Sequence, residues 1–258
     1  MIPKTIHYCW LSNDAIPDNL QKCMNSWKEK LPDYEFVLWN FNKFDINSSL
    51  WVKQAFEAKK YAFAADFIRL FAVYNYGGIY LDMDIEVVKP FDDLLLNNIM
   101  IAYEDNKTKT IEAGCFGTEK GHPFIKACLE YYAGREFSLK VIDDGYTLPR
   151  IMKKVYMEHH EFELMHFYSS DYFTAKKFRT GIIKTTEHTY AIHHFAGSWF
   201  SDQEKDNRKA MEKIVSLFGD TGFSVFIILC MAFVNRIKKY GLIKAVSYYL
   251  SSPNITNK

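Results

Sequence analysis

Asp82 and Asp84 stand two residues apart at the end of the apolar segment IYLDMD, residues 79–84. Carboxylates that close raise one another's pKa, and a divalent cation removes the penalty. Oxygen ligands suit hard ions, Mg²⁺ or Mn²⁺, with substrate phosphates completing the coordination sphere. Asp66 and Arg69 precede them at i, i+3, so a helix there carries both heads on one face. Arginine offers a planar donor fork to sugar or phosphate oxygens. Each piece alone has a plain structural meaning. An Asp-x-Asp is common in solvated loops, and an Asp–Arg pair at i, i+3 is most often a surface ion pair worth little. The context is what differs here. An apolar strand delivers the two aspartates, and Gly77-Gly78 links that strand to the helix bearing Asp66 and Arg69.

These residues need a scaffold to position them. TIHYCW, residues 5–10, reads as a first strand after Pro3. Residues 18–31 have Leu20, Cys23, Met24, Trp27 and Leu31 at helical spacing, and Pro32 and Asp33 stop the helix. YEFVLWN, residues 34–40, reads as a second strand, so strand–helix–strand order predicts a parallel α/β unit. A long helical pattern covers 50–76 and ends at Gly77-Gly78, a C-cap and tight turn. Extended pieces are expected at 79–82, 85–88, 99–103, 113–117 and 189–194, and helices at 123–133, 143–158 and 202–218. In α/β sheets, ligands bind outside the carboxyl ends of strands. That is where Asp82 and Asp84 fall.

Composition narrows the class. A chain of 258 residues allows one large domain or two small ones. Hydrophobic residues at 48% and charged residues at 24% exclude a disordered or fibrous protein. Lys+Arg 32 against Asp+Glu 31 lacks the basic excess of a nucleic-acid protein, so no nucleic-acid partner is expected. Aromatic residues reach 17%, and such rings fill cores and also stack on bases and sugars. Five scattered cysteines form no CxxC, which argues against a zinc ribbon and for a reduced, cytosolic setting. The N-terminal residues hold no signal-peptide core. The most apolar run, FSVFIILCMAFV at 223–234, is too short to span a bilayer. Arg236, Lys238, Lys239 and Lys244 follow it, interleaved with apolar residues. Two readings stay open for 222–250: a basic amphipathic helix on an anionic membrane face, or a helix packed on the domain with its basic face in water.

Three blocks, IPKTIHYCW at 2–10, AADFIRLFAVYNYGGIYLDMD at 64–84 and HHFAGSW at 193–199, resemble a glycosyltransferase of the family 32 type. That sugar-transferase group carries an Asp-x-Asp motif and includes bacterial capsular-polysaccharide enzymes and yeast initiating mannosyltransferases. A more distant likeness is to the glucosyltransferase domains of large clostridial toxins. The blocks span about the first 200 residues in the expected order. The resemblance implies an α/β, GT-A fold: a Rossmann-like mixed sheet flanked by helices, binding a nucleotide-sugar and Mn²⁺ or Mg²⁺. It also implies retention of anomeric configuration. Trp10 matches the aromatic that stacks on the base, worth about 1–3 kcal/mol in such contacts. Asp66 and Arg69 match the pair holding donor hydroxyls, and Tyr80 a tyrosine beside the diphosphate. Asp82 and Asp84 match the motif's two acids at the ribose and metal. His194 matches a C-terminal metal ligand. Ser198 and Trp199 match a mobile loop closing on the phosphates. His193 and His194 point to opposite faces of an extended segment, so one at most faces the metal. His194 is the expected ligand, with His193 held by a backbone or core contact, and His7 is expected to be structural. Ala65 stands where a common form of the motif has Ser. Glu112-Ala113-Gly114 lie where the family approaches the transferred sugar, with Asp143-Asp144-Gly145 across the cleft.

The resulting expectation is a catalytic domain over 1–205 and a C-terminal helical extension over 206–258. The activity is transfer of a hexose from a nucleotide-sugar to a saccharide or lipid-linked acceptor in surface-polysaccharide synthesis. A UDP-sugar is favoured and GDP-mannose is the alternative donor. The setting is cytoplasmic, peripheral on the inner face of the plasma membrane. Two other classes compete: a metal-dependent hydrolase of a phosphate ester or glycoside, and a non-catalytic nucleotide-sugar-binding protein. Acids two residues apart suit metal binding better than glycosidase chemistry, which needs two separated carboxylates flanking the bond.

Overall fold

The structure is a computed structural model that describes residues 1–138, 147–178, 180–197, 202–219 and 221–242. The expected strand–helix–strand opening is present. Strand β1 (Thr5–Cys9), helix α1 (Asp18–Lys30) and strand β2 (Glu35–Trp39) form a parallel unit with Thr5 opposite Glu35 and Cys9 opposite Trp39. Helix α1 buries Leu20, Cys23 and Trp27, one face of a 3.6-residue repeat, and the Trp27 indole N–H donates to Ile85 O at 2.6 Å.

The pattern over 50–76 forms two helices, α2 (Leu50–Glu57) and α3 (Tyr61–Tyr76), where one was expected. The break is at Lys59, which takes a positive φ of 56°. Lys59 N and Lys60 N then bond back to Phe56 O and Ala55 O. Apolar periodicity runs through the break because both helices face one core, with the Trp51 indole N–H on Phe63 O.

Strand β3 (Gly78–Leu81) follows α3 and lies parallel to β1, with Ile6 opposite Ile79. Strands β4 (Ile85–Val87), β5 (Ile99–Met100), β6 (Tyr103–Asp105), β7 (Thr110–Ile111) and β8 (Cys115–Thr118) come next. The main sheet has the order β2-β1-β3-β8-β5, with β8 antiparallel to both β3 and β5. Helices α4 (Pro123–Glu130) and α5 (Leu148–Glu158) then pack with α2 and α3 on one face. Strand β9 (Ala191–His193) pairs antiparallel with β4 in a small second sheet, with Ile85 opposite His193. The architecture is therefore α/β with a mixed sheet flanked by helices, as expected.

Both faces of β3 are buried in core, so its residues are apolar throughout and do not alternate. Ile79 and Leu81 enter the core that includes Trp27 and Phe91, while Tyr80 enters the core of Trp51 and Ile68. Each such side chain stabilises the fold by about 1.5–3 kcal/mol on burial. The turn into β3 requires Gly78: its φ is 102°, and a Cβ there would lie 2.6 Å from Thr5 O. His7 locks the same turn. Trp39 Nε1–H donates to its Nδ1 at 3.1 Å, so Nε2 carries the proton and donates to Gly77 O at 2.8 Å. Burial lowers the pKa of His7, favouring this neutral ring, and its role is structural as expected.

Contacts divide the chain into two units, Met1–Lys176 with Ile183–Trp199, and Lys177–Ile182 with Phe200–Lys258. The second unit contains α6 (Asp202–Phe218) and α7 (Gly222–Tyr240). A capping box between Thr221 and Ser224 starts α7. The outward side chains of α6 include Asp206, Lys209, Glu212 and Lys213, whereas those of α7 include Phe223, Phe226, Cys230 and Val234. The latter four share one face at helical spacing, and Lys238 continues it. The exposed stripe of α7 is thus apolar, with basic residues only towards its end; Lys244 and the rest of the tail to 258 lie outside the described residues. No described helix is long and apolar enough to cross a membrane.

Candidate active site

Helix α3 brings Asp66 and Arg69 against the end of β3. Arg69 Nη1 donates to Asp82 Oδ2 at 3.1 Å and to Ala113 O at 2.8 Å. Its Nη2 lies 3.1 Å from Asp82 Oδ1 and 3.2 Å from Asp66 Oδ1. The Tyr80 hydroxyl donates to Asp82 Oδ1 at 2.9 Å, and the guanidinium sits 4.6 Å above the Tyr80 ring. Each terminal nitrogen of Arg69 is thus shared between two protein oxygens. Arg69 organises the carboxylates and has these nitrogens committed within the protein. Tyr80 is 1% exposed and stands behind Asp82, to which its hydroxyl is hydrogen-bonded.

Charge is concentrated here at low solvent exposure. Burial raises the Asp66 carboxyl to about 6, against the pull of Arg69 and with the push of Asp82. Burial also raises Asp82, opposed by Arg69 and reinforced by Asp84. Asp84 goes the other way. Burial would raise it, but His193 and the Ala196 N–H, 2.7 Å from Oδ2, hold it at about 2.

His193, and not His194, reaches the aspartates. His193 Nε2 is 3.5 Å from Asp84 Oδ1. His194 instead places Nε2 2.7 Å from Glu86 Oε2. The β4–β9 register explains the exchange. Glu86 pairs with Ile192, so His194 falls on the Glu86 face and His193 on the other. The alternation was legible; its phase depends on which residue of β4 each histidine meets. His193 was expected to be held by a backbone or core contact, away from the metal; its Nδ1 lies 3.0 Å from Glu112 Oε2 while its Nε2 turns to Asp84. Burial would lower its pKa, but Glu112 and Asp84 raise it well above the ordinary histidine value.

Asp82, Asp84 and His193 can each offer one ligand atom, and these atoms all lie within 4.8 Å of one another. The carboxylate oxygens suit Mn²⁺ or Mg²⁺, and an imidazole nitrogen beside them fits the transition ion Mn²⁺ better than Mg²⁺. Gly114 supplies the room. A Cβ there would stand 2.8 Å from Asp82 Oδ2, 2.9 Å from His193 Cε1 and 3.0 Å from Glu112 Oε1. The glycine has no positive φ, so the need is for space and not for backbone freedom. Gly114→Ala is therefore expected to keep the fold, since the neighbours are side-chain tips, while weakening metal binding at least about tenfold, the scale of a disturbed ligand shell. Calorimetric Mn²⁺ titration beside a melting curve checks this.

Trp10 follows the carboxyl end of β1, half-buried, with its indole N–H on Asp14 O at 3.0 Å. Its one donor is satisfied, so any further contact it makes is through the ring face. Ser198 and Trp199, and Asp143-Asp144-Gly145, lie outside the described residues. Sequence reasoning missed Glu112 and Thr174 as partners of His193. A lone Glu inside the apolar run 111–116 was the available signal.

Residues 17–103 match the family described as a glycosyltransferase sugar-binding region containing a DXD motif. Over 128 residues the chain is 34% identical to inositol phosphoceramide mannosyltransferase 3 of Schizosaccharomyces pombe, covering 48% of this chain and 35% of that one. It is 30% identical over 157 residues to a mannosyl phosphorylinositol ceramide synthase of Saccharomyces cerevisiae, covering 58% and 37%. It is 29% identical over 119 residues to subversion of eukaryotic traffic protein A of Legionella pneumophila, covering 36% and 18%. The chain spans little more than a third of the length of the first two relatives. Among solved structures, the PaToxG glycosyltransferase matches 61% of this chain and 70% of its own at 19% identity and a TM-score of 0.45.

Proposed function

We propose that this chain, whose residues 17–103 match the family described as a glycosyltransferase sugar-binding region containing a DXD motif, transfers a hexose from a nucleotide-sugar. The acceptor is a saccharide or lipid-linked saccharide, and the site takes Mn²⁺ or Mg²⁺ at Asp82, Asp84 and His193. The observation that carries the reading is that ligand atoms of these three side chains lie within 4.8 Å of one another, with Gly114 leaving room beside Asp82 and His193. When bound, the cation supplies positive charge to the departing diphosphate. Arg69 and Tyr80 hold the Asp82 carboxylate in one orientation, and the Ala196 N–H does the same for Asp84. Trp10 offers its ring to the nucleotide base. Configuration is retained, and the departing phosphate takes the acceptor proton, so no side-chain base is assigned.

The names of the two fungal relatives speak of mannosyl transfer. That sets GDP-mannose beside a UDP-hexose as donor, and one experiment separates them. Thermal melting with UDP- and GDP-sugars, each with Mn²⁺ or chelator, is expected to single out one base, and only with metal. A ligand at 100 times its Kd stabilises the native state by about 2.7 kcal/mol. No shift with any donor contradicts the reading.

The acceptor is held at the cytoplasmic membrane surface and contributes to surface polysaccharide or a lipid-linked oligosaccharide. The apolar stripe of α7, Phe223 57% and Phe226 62% exposed, supports this. The full chain is expected to co-sediment with phosphatidylglycerol vesicles, and Phe223→Ser/Phe226→Ser to remain in the supernatant while staying folded. Equal sedimentation of both proteins contradicts the membrane role.

A further inference from the structure

We infer that Glu112 is the positioning residue of the cation site: it holds the Nδ1 edge of His193 and so turns Nε2 towards Asp84, where a bound cation would displace its proton and take the lone pair. This rests on the cation reading given above and assigns a role to a residue that touches neither cation nor donor. Glu112 is 0% exposed. A buried carboxylate needs donors, and three segments supply them. Gly114 N donates to Oε1 at 2.6 Å, Thr174 Oγ1 donates to Oε2 at 2.6 Å, and His193 Nδ1 lies 3.1 and 3.0 Å from the two oxygens. The carboxylate is therefore fixed before the histidine meets it.

The ring is fixed from a second side. Phe195 stacks on His193 with centroids 4.1 Å apart and planes 21° from parallel. With Nδ1 on Glu112, the opposite nitrogen faces Asp84 Oδ1 at 3.5 Å, longer than an ordinary hydrogen bond. Its partner in function is the ion that both groups can hold. A carboxylate behind a ligating histidine fixes the tautomer and raises ligand basicity, and losing it costs about 10–100-fold in metal affinity.

A double-mutant cycle on the full chain tests this. Mn²⁺ affinity is read by electron paramagnetic resonance, alone and with UDP or GDP, for the wild type, Glu112→Gln, His193→Gln and the double variant. Glu112→Gln is expected to weaken Mn²⁺ binding about 10–100-fold in the wild-type background. It should have little effect in the His193→Gln background, because its action runs through the imidazole. Nucleotide affinity without metal should not move. Unchanged Mn²⁺ affinity in Glu112→Gln, or the same loss in both backgrounds, overturns the positioning role while the cation reading stands. A wild type that binds no Mn²⁺ overturns the cation reading itself and this role with it. If Glu112→Gln does not fold, ring ¹⁵N shifts of the wild type with Mg²⁺ decide. Under saturating Mg²⁺, a proton on Nδ1 and none on Nε2 supports the assignment, and a ring that keeps a proton on Nε2 overturns it.

Discussion

Asp84→Asn is expected to reduce kcat/KM for sugar transfer about 10³-fold, the equivalent of about 4 kcal/mol of lost transition-state stabilisation. The asparagine oxygen can still accept the Ala196 N–H, so the local backbone keeps its contact. What disappears is the negative charge that faces His193 and that the proposed cation would need. The same substitution changes acid stability. The Asp84 carboxyl is held at about 2, below its ordinary 3.8, because His193 and the Ala196 N–H outweigh burial. A depressed folded pKa contributes stability that is complete above the unfolded value and lost as pH falls through the folded one. Wild-type protein should therefore lose stability more steeply than Asp84→Asn between about pH 4 and 2. Denaturant melts across that range, beside steady-state kinetics at neutral pH, check both halves. Retained transfer in a folded Asp84→Asn protein would remove the metal role.

Arg69→Lys is expected to be the most destabilising change of charge-conserving type. Arg69 joins Asp66, Asp82 and the Ala113 carbonyl, and covers the Tyr80 ring. Its side chain is 7% exposed. A lysine ammonium has no planar fork and cannot serve both oxygens of Asp82 while reaching Asp66. One carboxylate is left buried without its cation, a loss of about 3–5 kcal/mol when a buried pair is broken. At about 2–4 °C per kcal/mol, the melting temperature should fall by roughly 10 °C. Cation affinity should fall as well, since Asp82 loses its fixed orientation. A lysine variant with wild-type melting and Mn²⁺ binding would show that the fork is dispensable.

The chain's local signals were enough to place the strand–helix–strand opening, the helix with Asp66 and Arg69, the double-glycine turn and the strand delivering Asp82. Each depends on residues near in sequence, such as Gly77 and Gly78 at positive φ after Tyr76. Three features were not legible. The break at Lys59 leaves no Gly or Pro in the sequence, and both helices keep one apolar face, so periodicity ran straight through it. The choice between His193 and His194 depends on pairing with β4, about a hundred residues earlier, which local alternation cannot phase. Glu112 meets Thr174 and His193 only through tertiary contact. Tyr80 and Arg69 show the opposite lesson. The sequence places both beside Asp82, but that their hydrogen bonds turn inward to its carboxylate is a matter of tertiary packing.

Nucleotide release tests the central claim most directly. The purified chain is incubated with UDP- and GDP-hexoses in Mn²⁺, in chelator, and in chelator followed by excess Mn²⁺, and the freed nucleoside diphosphate is counted. Release from one donor class is predicted with Mn²⁺, abolished by the chelator and restored by the metal, and absent in Asp84→Asn and His193→Ala. Release that continues undiminished in chelator, or in both of those variants, would contradict a cation held by Asp82, Asp84 and His193.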